Sequence, residues 1–424
     1  MGRRGGSEPP GTAIDPGDDG ADSSAPAPYN SGMSANTAGG RPDARQPLPP
    51  RTLLGGLAPA SFLQRHWHKE PRLVRGAVPG FAGLATRAEL RALAERDDVE
   101  SRLVVRDGAR WSLAWGPFRR ADWKTLPARD WTLLVQGVNL HLPAADRLLR
   151  RFSFVPWARL DDLMVSDAAP GGGVGPHFDS YDVFLLQGNG RRRWRWGRQE
   201  DLALRPGLPV KILRRFQPTA DAVLGPGDML YLPPQYAHDG VAVDDCTTWS
   251  IGFRAPAATE LAQAFLDHLR DTIELPGRYA DPDLRPTTAP ARVDTAMQRR
   301  VTTMLEAIRW RREDVARFLG AWLSEPKPSV FFTPPDPPLA RAAFARRAAA
   351  NGVALDARTQ MLFDDANLFV NGETLRWPEG GRPGLERLAN DRALTARDAA
   401  ALPADSLALL HDWYRDGWLH PASA

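Results

Sequence analysis

The middle of the chain is divided by glycine and proline into short apolar runs, and this division limits the possible fold more than any other feature. The runs are RLVVRDGARWSLAW at 102–115, DDLMVS at 161–166, YDVFLLQG at 181–188, RRRWRWG at 191–197 and MLYLPP at 229–234. The first run contains Asp107-Gly108 at its centre, a pair that favours a tight hairpin turn. Many short strands separated by turn residues are typical of an antiparallel sandwich or barrel.

Composition separates the rest of the chain from this strand-rich region. Residues 1–50 are rich in Gly, Pro, Ala, Ser and Asp without apolar periodicity, so we expect them to be disordered. Residues 257–330 carry apolar side chains at helical spacing, and the proline cluster at 331–338 marks a linker. Residues 339–424 predict a helix, a strand, a hairpin turned by Asn371-Gly372 and two further helices, an order typical of a small winged-helix unit.

Cysteine content and charge narrow the classes of function. The only cysteine, Cys246, cannot form an internal disulfide, so we expect a cytoplasmic protein whose metal ligands are His, Asp or Glu. No run approaches the roughly 18 apolar residues of a membrane helix. Residues 339–424 contain 10 Arg and no Lys against 11 Asp and Glu. Because phosphate binding depends on clustered positive charge, this balance argues against direct nucleic-acid binding by that module.

A short motif, GPHFDSYDVFLL at 175–186, supplies the first candidate for chemistry. Its His177 and Asp179 are two residues apart, and side chains at that spacing point the same way along an extended strand. A later segment, LGPGDMLYLPPQYAHDG at 224–240, supplies His238. Two imidazoles and one carboxylate form the facial triad of non-heme Fe(II) oxygenases, which leaves three metal positions open. Since an H-x-D pair also arises by chance, the spacing alone leaves a purely structural role open.

The arginine-rich run at 191–197 contains a second candidate. Strand alternation places Arg192 on the same face as Trp194 and Trp196, and the other three arginines on the opposite face. An unpaired guanidinium buried among tryptophans would cost on the order of several kcal/mol, so Arg192 needs an anion. The far carboxylate of 2-oxoglutarate, a co-substrate that chelates iron through its keto acid end, meets this need. The alternative is a nucleic-acid patch, which fits the three outward arginines and leaves Arg192 unexplained.

Residues 51–254 resemble the JmjC-type 2-oxoglutarate oxygenases, and among them the bacterial ribosomal oxygenases that hydroxylate an arginine of ribosomal protein uL16. The resemblance rests on PGGGVGPHFDSYDVFLLQGNGRRRWRWG at 170–197, PGDMLYLPPQYAHDG at 226–240 and WSIGFRAP at 249–256. The order of segments that follows is also similar to that family.

The resemblance implies an α+β protein in several parts. A double-stranded β-helix, the cupin or jelly-roll barrel of JmjC proteins, would occupy 51–256 as the catalytic domain. A helical dimerisation region would occupy 257–330, and a winged-helix-like C-terminal domain 339–424. The N-terminal tail has no counterpart in this family.

The resemblance also implies roles for particular residues. The iron ligands of the family fall on His177, Asp179 and His238, and its 2-oxoglutarate-binding arginine falls on Arg192. Ser166 matches a position that the family uses near the co-substrate. The implied cofactors and co-substrates are Fe(II), 2-oxoglutarate and O2.

The implied activity is that of a protein arginine 3-hydroxylase acting on uL16, as a cytoplasmic homodimer without membrane association. Thr248 stands where we expect an amide side chain in close relatives. A basic ribosomal substrate also favours acidic groups at the mouth of the site. Asp182 and Asp239 are candidates for such groups, and each is equally consistent with a solvated turn or a supporting carboxylate.

Three other functions remain open at this point. The same chemistry could act on another residue, as in a histidyl hydroxylase or a lysine demethylase. A non-catalytic cupin-like protein that binds the ribosome would keep the metal for structure, although such a protein would not need a buried carboxylate receptor at Arg192. A DNA-binding regulator would need more positive charge than residues 339–424 carry.

Overall fold

The computed structural model describes residues 50–422. The tail for which the sequence predicts disorder, residues 1–50, therefore lies outside the described residues except at Pro50, where the first helix begins. None of the helices within the described range is both long and apolar enough to span a bilayer.

Short strands and helices alternate through the first part of the described chain. The helices are α1 (Pro50–Leu53), α2 (Pro59–Arg65), α3 (Arg87–Ala94) and α4 (Pro143–Arg150), with 3-10 turns at Asp122–Lys124, Val138–Leu140 and Trp157–Arg159. The strands are β1 (Arg72–Val74), β2 (Ser101–Asp107), β3 (Arg110–Trp115), β4 (Trp131–Val135), β5 (Leu160–Ala168), β6 (Val183–Gln187), β7 (Arg192–Arg198), β8 (Ala220–Leu224), β9 (Met229–Leu232), β10 (Tyr236–Ala242) and β11 (Cys246–Phe253).

These strands form two antiparallel sheets. The larger sheet has the order β1-β9-β6-β11-β5-β4-β2-β3, and the smaller has the order β10-β7-β8. The hairpin predicted at Asp107-Gly108 joins β2 to β3, with Gly108 in the left-handed region at φ 58°. The barrel expected from the run of short strands is thus present.

The two faces of the larger sheet have different partners. On β6, Phe184 and Leu186 pack into the core shared with the flanking helices, whereas Val183 and Leu185 pack with Trp194 of the smaller sheet. Because side chains alternate along a strand, Gln187 faces the space between the sheets, as Val183 and Leu185 do. That enclosed space is where buried polar side chains collect.

A segment of helices follows the barrel. It contains α5 (Ala258–Thr272), α6 (Thr295–Leu305) and α7 (Arg312–Ser324). Several large apolar side chains of this segment are exposed, among them Leu266, Leu284, Val293, Leu305 and Trp310. Exposed apolar side chains in such number are typical of an interaction surface.

The last part of the chain has its own core. Its elements are α8 (Arg341–Asn351), β12 (Val353–Leu355), β13 (Met361–Phe363), β14 (Asn367–Val370), β15 (Glu373–Arg376), α9 (Arg382–Asp391), β16 (Ala393–Leu394), α10 (Ala396–Ala400), α11 (Ala404–Arg415) and β17 (Leu419–Pro421). The hairpin predicted at Asn371-Gly372 joins β14 to β15, with φ of 50° and 90° at the two residues. The sequence pattern missed α10 and the small sheet β16-β12-β17, because its strands of two or three residues are too short to show a period.

A partly exposed ion pair connects the segment after α7 to the barrel. The ammonium group of Lys327 lies 3.1 Å from a carboxylate oxygen of Asp161 and 3.5 Å from one of Asp162. The buried Asp162 also accepts the backbone N–H of Gly137 at 3.0 Å. On the same side, the guanidinium of Arg254 donates to the carbonyl of Leu323 at 2.7 Å.

Candidate active site

Two histidines and one aspartate converge at one end of the space between the sheets. His177 and His238 form an isolated antiparallel bridge, in which each backbone N–H donates to the carbonyl of the other at 2.9 and 2.8 Å. The carboxylate of Asp179 lies 4.0 Å from Nε2 of His177 and 3.6 Å from Nε2 of His238. One ligand atom from each residue lies within 4.8 Å of the other two, a separation that a single divalent ion can bridge.

The hydrogen bonds of both imidazoles leave Nε2 as the free ligand atom. Nδ1 of His177 lies 2.9 Å from the carbonyl of Gly175, and Nδ1 of His238 lies 2.9 Å from the carbonyl of Tyr236. Since a carbonyl only accepts, each Nδ1 carries the proton and donates it, which is the usual arrangement around a metal-binding histidine. Burial lowers the pKa of His238 to about 4, so this ring is neutral at physiological pH and can coordinate a cation.

The sequence predicted that His177 and Asp179 lie on a regular strand, and this prediction is wrong. β6 begins only at Val183, and the residues before it follow an irregular path. The two side chains converge because the bridge to His238 fixes the backbone at residue 177. In addition, the N–H of Gln235, at a left-handed φ of 64°, donates to the carbonyl of Asp179 at 2.7 Å.

Glycines before His177 allow the chain to run against other backbone. A Cβ at Gly172 would lie 2.0 Å from the carbonyl oxygen of Trp131, and one at Gly173 would lie 2.6 Å from that of Gly240. The close approach in the structure is to the protein's own strands β4 and β10, and it delivers His177 to the bridge.

Arg192 has the environment that strand alternation predicted. Its side chain is buried, with 4% relative exposure for the residue, and its guanidinium lies 5.8 Å from the ring centroid of Trp194. Within residues 50–422, its Nε and Nη2 have no hydrogen-bond partner. A buried cation with unsatisfied donors is costly unless an anion binds to it. This guanidinium is therefore suited to receive a carboxylate in the space between the sheets.

The three neighbouring arginines have partners on the outer face of the smaller sheet. Their ion pairs are Arg191 with Asp244 at 2.8 Å, Arg193 with Asp221 at 2.5 Å and Arg195 with Asp239 at 2.5 Å. These carboxylates neutralise the positive charge that the nucleic-acid interpretation of this run required.

A row of buried polar side chains crosses the larger sheet near Arg192. Thr248 pairs in register with Ser166 on one side and Gln187 on the other. The hydroxyl of Thr248 donates to the amide oxygen of Gln187 at 3.1 Å, and the Gln187 amide group donates at 3.3 Å to the carbonyls of Asn189 and Gly190, just before β7. The amide side chain that we expected at position 248 is thus provided by the neighbouring strand. The sequence analysis missed Gln187, although it is the polar inward position that ends the alternation of YDVFLLQG.

The two candidate acids for the mouth of the site are both buried. Asp182 accepts the hydroxyl of Tyr231 at 2.5 Å and lies 2.9 Å from Nε2 of His68. Asp239 pairs with Arg195 and has 4% relative exposure. Neither carboxylate is presented to a substrate, so the expectation of an acidic mouth at these residues is wrong. Both are supporting carboxylates that contact side chains of the protein itself.

Comparison with known proteins places this geometry in a family. A family model described as JmjC domain matches residues 147–261, and one described as ROXA-like winged helix matches residues 307–420. The Escherichia coli ribosomal protein uL16 3-hydroxylase is 38% identical over 346 residues, which are 80% of this chain and 90% of that protein. The chain belongs to the JmjC ribosomal oxygenases.

Other members of the ribosomal oxygenase family support the same assignment. A probable ribosomal oxygenase of Haemophilus influenzae is 37% identical over 232 residues, 54% of this chain and 55% of that protein. A solved structure of the Escherichia coli ribosomal oxygenase YcfD in complex with cobalt and 2-oxoglutarate has a TM-score of 0.73 at 33% identity, covering 86% of this chain and 98% of that one. The predicted fold class, a JmjC cupin barrel followed by a winged-helix domain, is confirmed.

The donor set fits the cofactor chemistry of the ribosomal oxygenases. JmjC oxygenases use Fe(II), 2-oxoglutarate and O2, and two imidazoles with one carboxylate are the ligands typical of such iron sites. The winged-helix model begins at residue 307, inside the 257–330 segment that the sequence assigned to dimerisation. The boundary between those two parts remains a prediction.

Proposed function

We propose that this protein is a 2-oxoglutarate- and Fe(II)-dependent hydroxylase that acts on an arginine side chain of ribosomal protein uL16. One observation carries the proposal above the others. Three metal-ligand atoms lie within 4.8 Å of one another, and the strand that pairs with the strand of His238 carries a buried guanidinium with two nitrogens unpartnered in the described chain. That combination occurs in a chain 38% identical to a uL16 3-hydroxylase.

In this proposal the metal is held by His177, Asp179 and His238, and Arg192 receives the far carboxylate of 2-oxoglutarate. When bound, Fe(II) with 2-oxoglutarate and O2 supplies the oxidising chemistry that hydroxylates an unactivated carbon. The chain's own work is to hold both imidazoles with Nε2 toward the ion and to keep the co-substrate in a fixed orientation. Ser166 lies in the same polar row as Thr248, which supports a role beside the co-substrate.

Burial explains why Arg192 would bind tightly and selectively. A guanidinium and a carboxylate attract each other more strongly away from water, and the planar guanidinium can donate two parallel hydrogen bonds. The guanidinium lies 5.8 Å from the ring centroid of Trp194, within the range of a cation–π contact. Arg192 is fixed on β7 by its pairing with Ala242 of β10, the strand that carries His238. The carboxylate receptor and one metal ligand are therefore held by adjacent strands.

The direct test measures succinate formed from 2-oxoglutarate under air, with Fe(II) and ascorbate, with and without a uL16 peptide that contains its candidate arginine. We expect the peptide to stimulate turnover and to gain the mass of one oxygen atom on that arginine. Peptides in which lysine or histidine replaces the arginine test the other JmjC activities. Turnover that the arginine peptide does not stimulate would contradict the substrate, and absence of turnover in metal-loaded protein would favour the non-catalytic alternative.

We further propose that the chain is divided into a catalytic domain at 51–256, a dimerisation region at 257–330 and a winged-helix domain at 339–424. The exposed side chains of Leu305 and Trp310 support a homodimer formed through the middle region. A ribosomal substrate supports action in the cytoplasm. Sedimentation equilibrium of the full chain and of the Leu305→Asp variant would test the dimer, since a charge at a buried subunit interface should shift the protein toward monomer.

A further inference from the structure

A cluster of positive charge surrounds the loop between β7 and β8. We call it the basic face. Its members are all exposed in the structure: Arg65, Lys69, Arg198, Arg205, Lys211, Arg214 and Arg215. The segment from Arg198 to Arg215 contains five basic residues but only two acidic residues, Glu200 and Asp201.

The basic face, unlike the arginines of the run at 191–197 that form ion pairs, has no carboxylate counterions among the described residues. Arg191, Arg193 and Arg195 each have a carboxylate partner. Within residues 50–422, no side chain of the basic face lies within 4.0 Å of a carboxylate oxygen. The arginines that the sequence singled out are thus neutralised, and the uncompensated positive charge lies in the loop that follows them.

The basic face is connected directly to the metal-binding loop. On one side, the N–H of Leu213 donates to the carbonyl of Pro176 at 2.8 Å, beside His177. A Cβ placed on Gly175 would lie 2.9 Å from Cδ1 of Ile212, so the loop packs closely against the glycine stretch.

A groove lies on the other side of the metal-binding loop. It has a volume of about 910 Å³, and its lining includes the three basic side chains of Arg65, Lys69 and Arg198 against one carboxylate, Glu70, together with Gln235 and Tyr236. The N–H of Gln235 donates to the carbonyl of Asp179, which places one wall of the groove against a metal ligand. Positive charge therefore flanks the site from both the loop and the groove.

The sign of this charge excludes the reacting residue itself as the ligand. An arginine side chain approaching the iron would be repelled by exposed guanidinium groups, so the basic face must serve a different and negatively charged ligand. Five of its seven members are arginine, whose planar guanidinium matches the geometry of phosphate oxygens. A series of such groups along a loop and a groove matches a polymer of regularly spaced phosphates.

We propose that the basic face binds the phosphate backbone of RNA, so that the enzyme holds RNA beside its active site. This inference deepens the proposed function and rests on it for the identity of the protein substrate, whereas RNA binding itself does not depend on turnover. It reverses the expectation drawn from residues 339–424 that the protein does not contact nucleic acid directly. That expectation considered the charge of the C-terminal module, and the basic face belongs to the barrel.

The test uses the full-length protein without iron or 2-oxoglutarate and a fluorescently labelled single-stranded RNA of about 20 nucleotides. Fluorescence anisotropy should show binding that weakens steeply as salt rises. The double variant Arg214→Glu/Arg215→Glu should lose at least about tenfold in affinity, and the slope of log affinity against log salt should become shallower by about 1.4, or about 0.7 for each lost phosphate contact on a single strand. Melting temperatures of both proteins check that the fold is intact.

The matched control is Arg346→Glu/Arg347→Glu, the same change of charge at two exposed arginines of α8. It should retain RNA affinity within about twofold of the parent. The inference is overturned by absence of RNA binding at low salt, by equal losses in the two double variants, or by a protein that binds polyglutamate but not RNA. If the protein hydroxylates the uL16 peptide but does not bind RNA, only the RNA-binding inference is refuted. If it binds RNA through Arg214 and Arg215 but does not modify uL16, only the proposed substrate is refuted.

Discussion

Arg192 in the barrel and Arg392 in the winged-helix part are both inward-facing arginines, but their hydrogen bonds differ. The two terminal nitrogens of the Arg392 guanidinium donate to the carbonyls of Thr359 at 2.6 Å and Asp356 at 2.7 Å, and only its Nε lacks a partner in the described chain. Arg192 is buried, yet two of its nitrogens have no partner among residues 50–422. Burying a cation is tolerated only when its donors are satisfied. Arg392 is therefore part of the architecture, and Arg192 is prepared for a ligand.

The C-terminal module and the barrel also differ in whether their other buried polar groups have partners within the chain. In the C-terminal module, Asp356 pairs with Arg358 at 2.7 Å and with His420 at 3.1 Å, so its buried charges are balanced internally. Between the barrel sheets, the metal-ligand atoms and Arg192 lie open to the enclosed space. A buried charge without a counterion beside three metal-ligand atoms distinguishes the barrel site from the C-terminal module.

Removing a metal ligand should have the largest effect. Asp179→Ala deletes the carboxylate that lies between two imidazoles, and turnover should fall by more than the roughly 10–100-fold that loss of a supporting group costs. Calorimetric titration with Co(II) measures the loss of metal affinity, and succinate formation measures the loss of turnover. Asp97→Ala, at an exposed aspartate, is the matched control and should behave as the parent. Normal turnover in the Asp179 variant would show that the triad is not the metal site.

Truncating the two arginines should separate their roles. Arg192→Ala should raise the KM for 2-oxoglutarate about 100-fold, equivalent to about 2.7 kcal/mol, because a charge-assisted pair in a buried space is lost. Arg392→Ala should leave that KM unchanged and lower the free energy of unfolding by about 2 kcal/mol, because buried carbonyls lose their donor. Steady-state kinetics and urea unfolding of both variants are the measurements. The comparison fails if the two variants show the same pattern.

Lys327→Met tests the ion pair that joins the segment after α7 to the barrel. It leaves Asp162 buried without its cation, so unfolding should cost about 2 kcal/mol less, a value reduced for the partial exposure of Lys327. Adding Asp162→Asn should recover part of the loss, because the remaining side chain no longer carries a charge. The free energies of the single and double variants form a double-mutant cycle. A single variant as stable as the parent would mean that this contact contributes nothing.

The smallest effect is expected at Thr248. Thr248→Val keeps the shape of the side chain but removes the hydroxyl that donates to Gln187, so the KM for 2-oxoglutarate should rise about fivefold, equivalent to about 1 kcal/mol. Thr132→Val is a suitable control, since the buried hydroxyl of Thr132 has no partner within the described residues. That variant should be as active as the parent and equally or more stable. An unchanged KM in Thr248→Val would remove the polar row from co-substrate binding.

The local pattern of the sequence predicted those site features that depend on neighbouring residues. Alternation along RRRWRWG predicted the inward direction of Arg192, and the structure buries it. The Asn371-Gly372 and Asp107-Gly108 pairs predicted hairpins that are present. These features follow from the period of a strand or from the φ that a turn requires, so a few adjacent residues are sufficient to recognise them.

Features that depend on register between distant strands could not be predicted. Gln187 meets Thr248 only because β6 and β11 pair with one particular alignment. Likewise, Asp239 is neutralised by Arg195 because β10 lies beside β7 in that register, so its carboxylate is not exposed at the mouth of the site. No local period contains this information.

The bridge between His177 and His238 has a consequence for how the protein unfolds. It joins two points sixty-one residues apart in the chain, and contacts of such separation are costly in loop entropy. An ion held by both imidazoles would act as a removable cross-link across this long loop. In a chain whose single cysteine cannot form an internal disulfide, loading and stripping the metal would switch such a cross-link on and off, and unfolding rates should change with it.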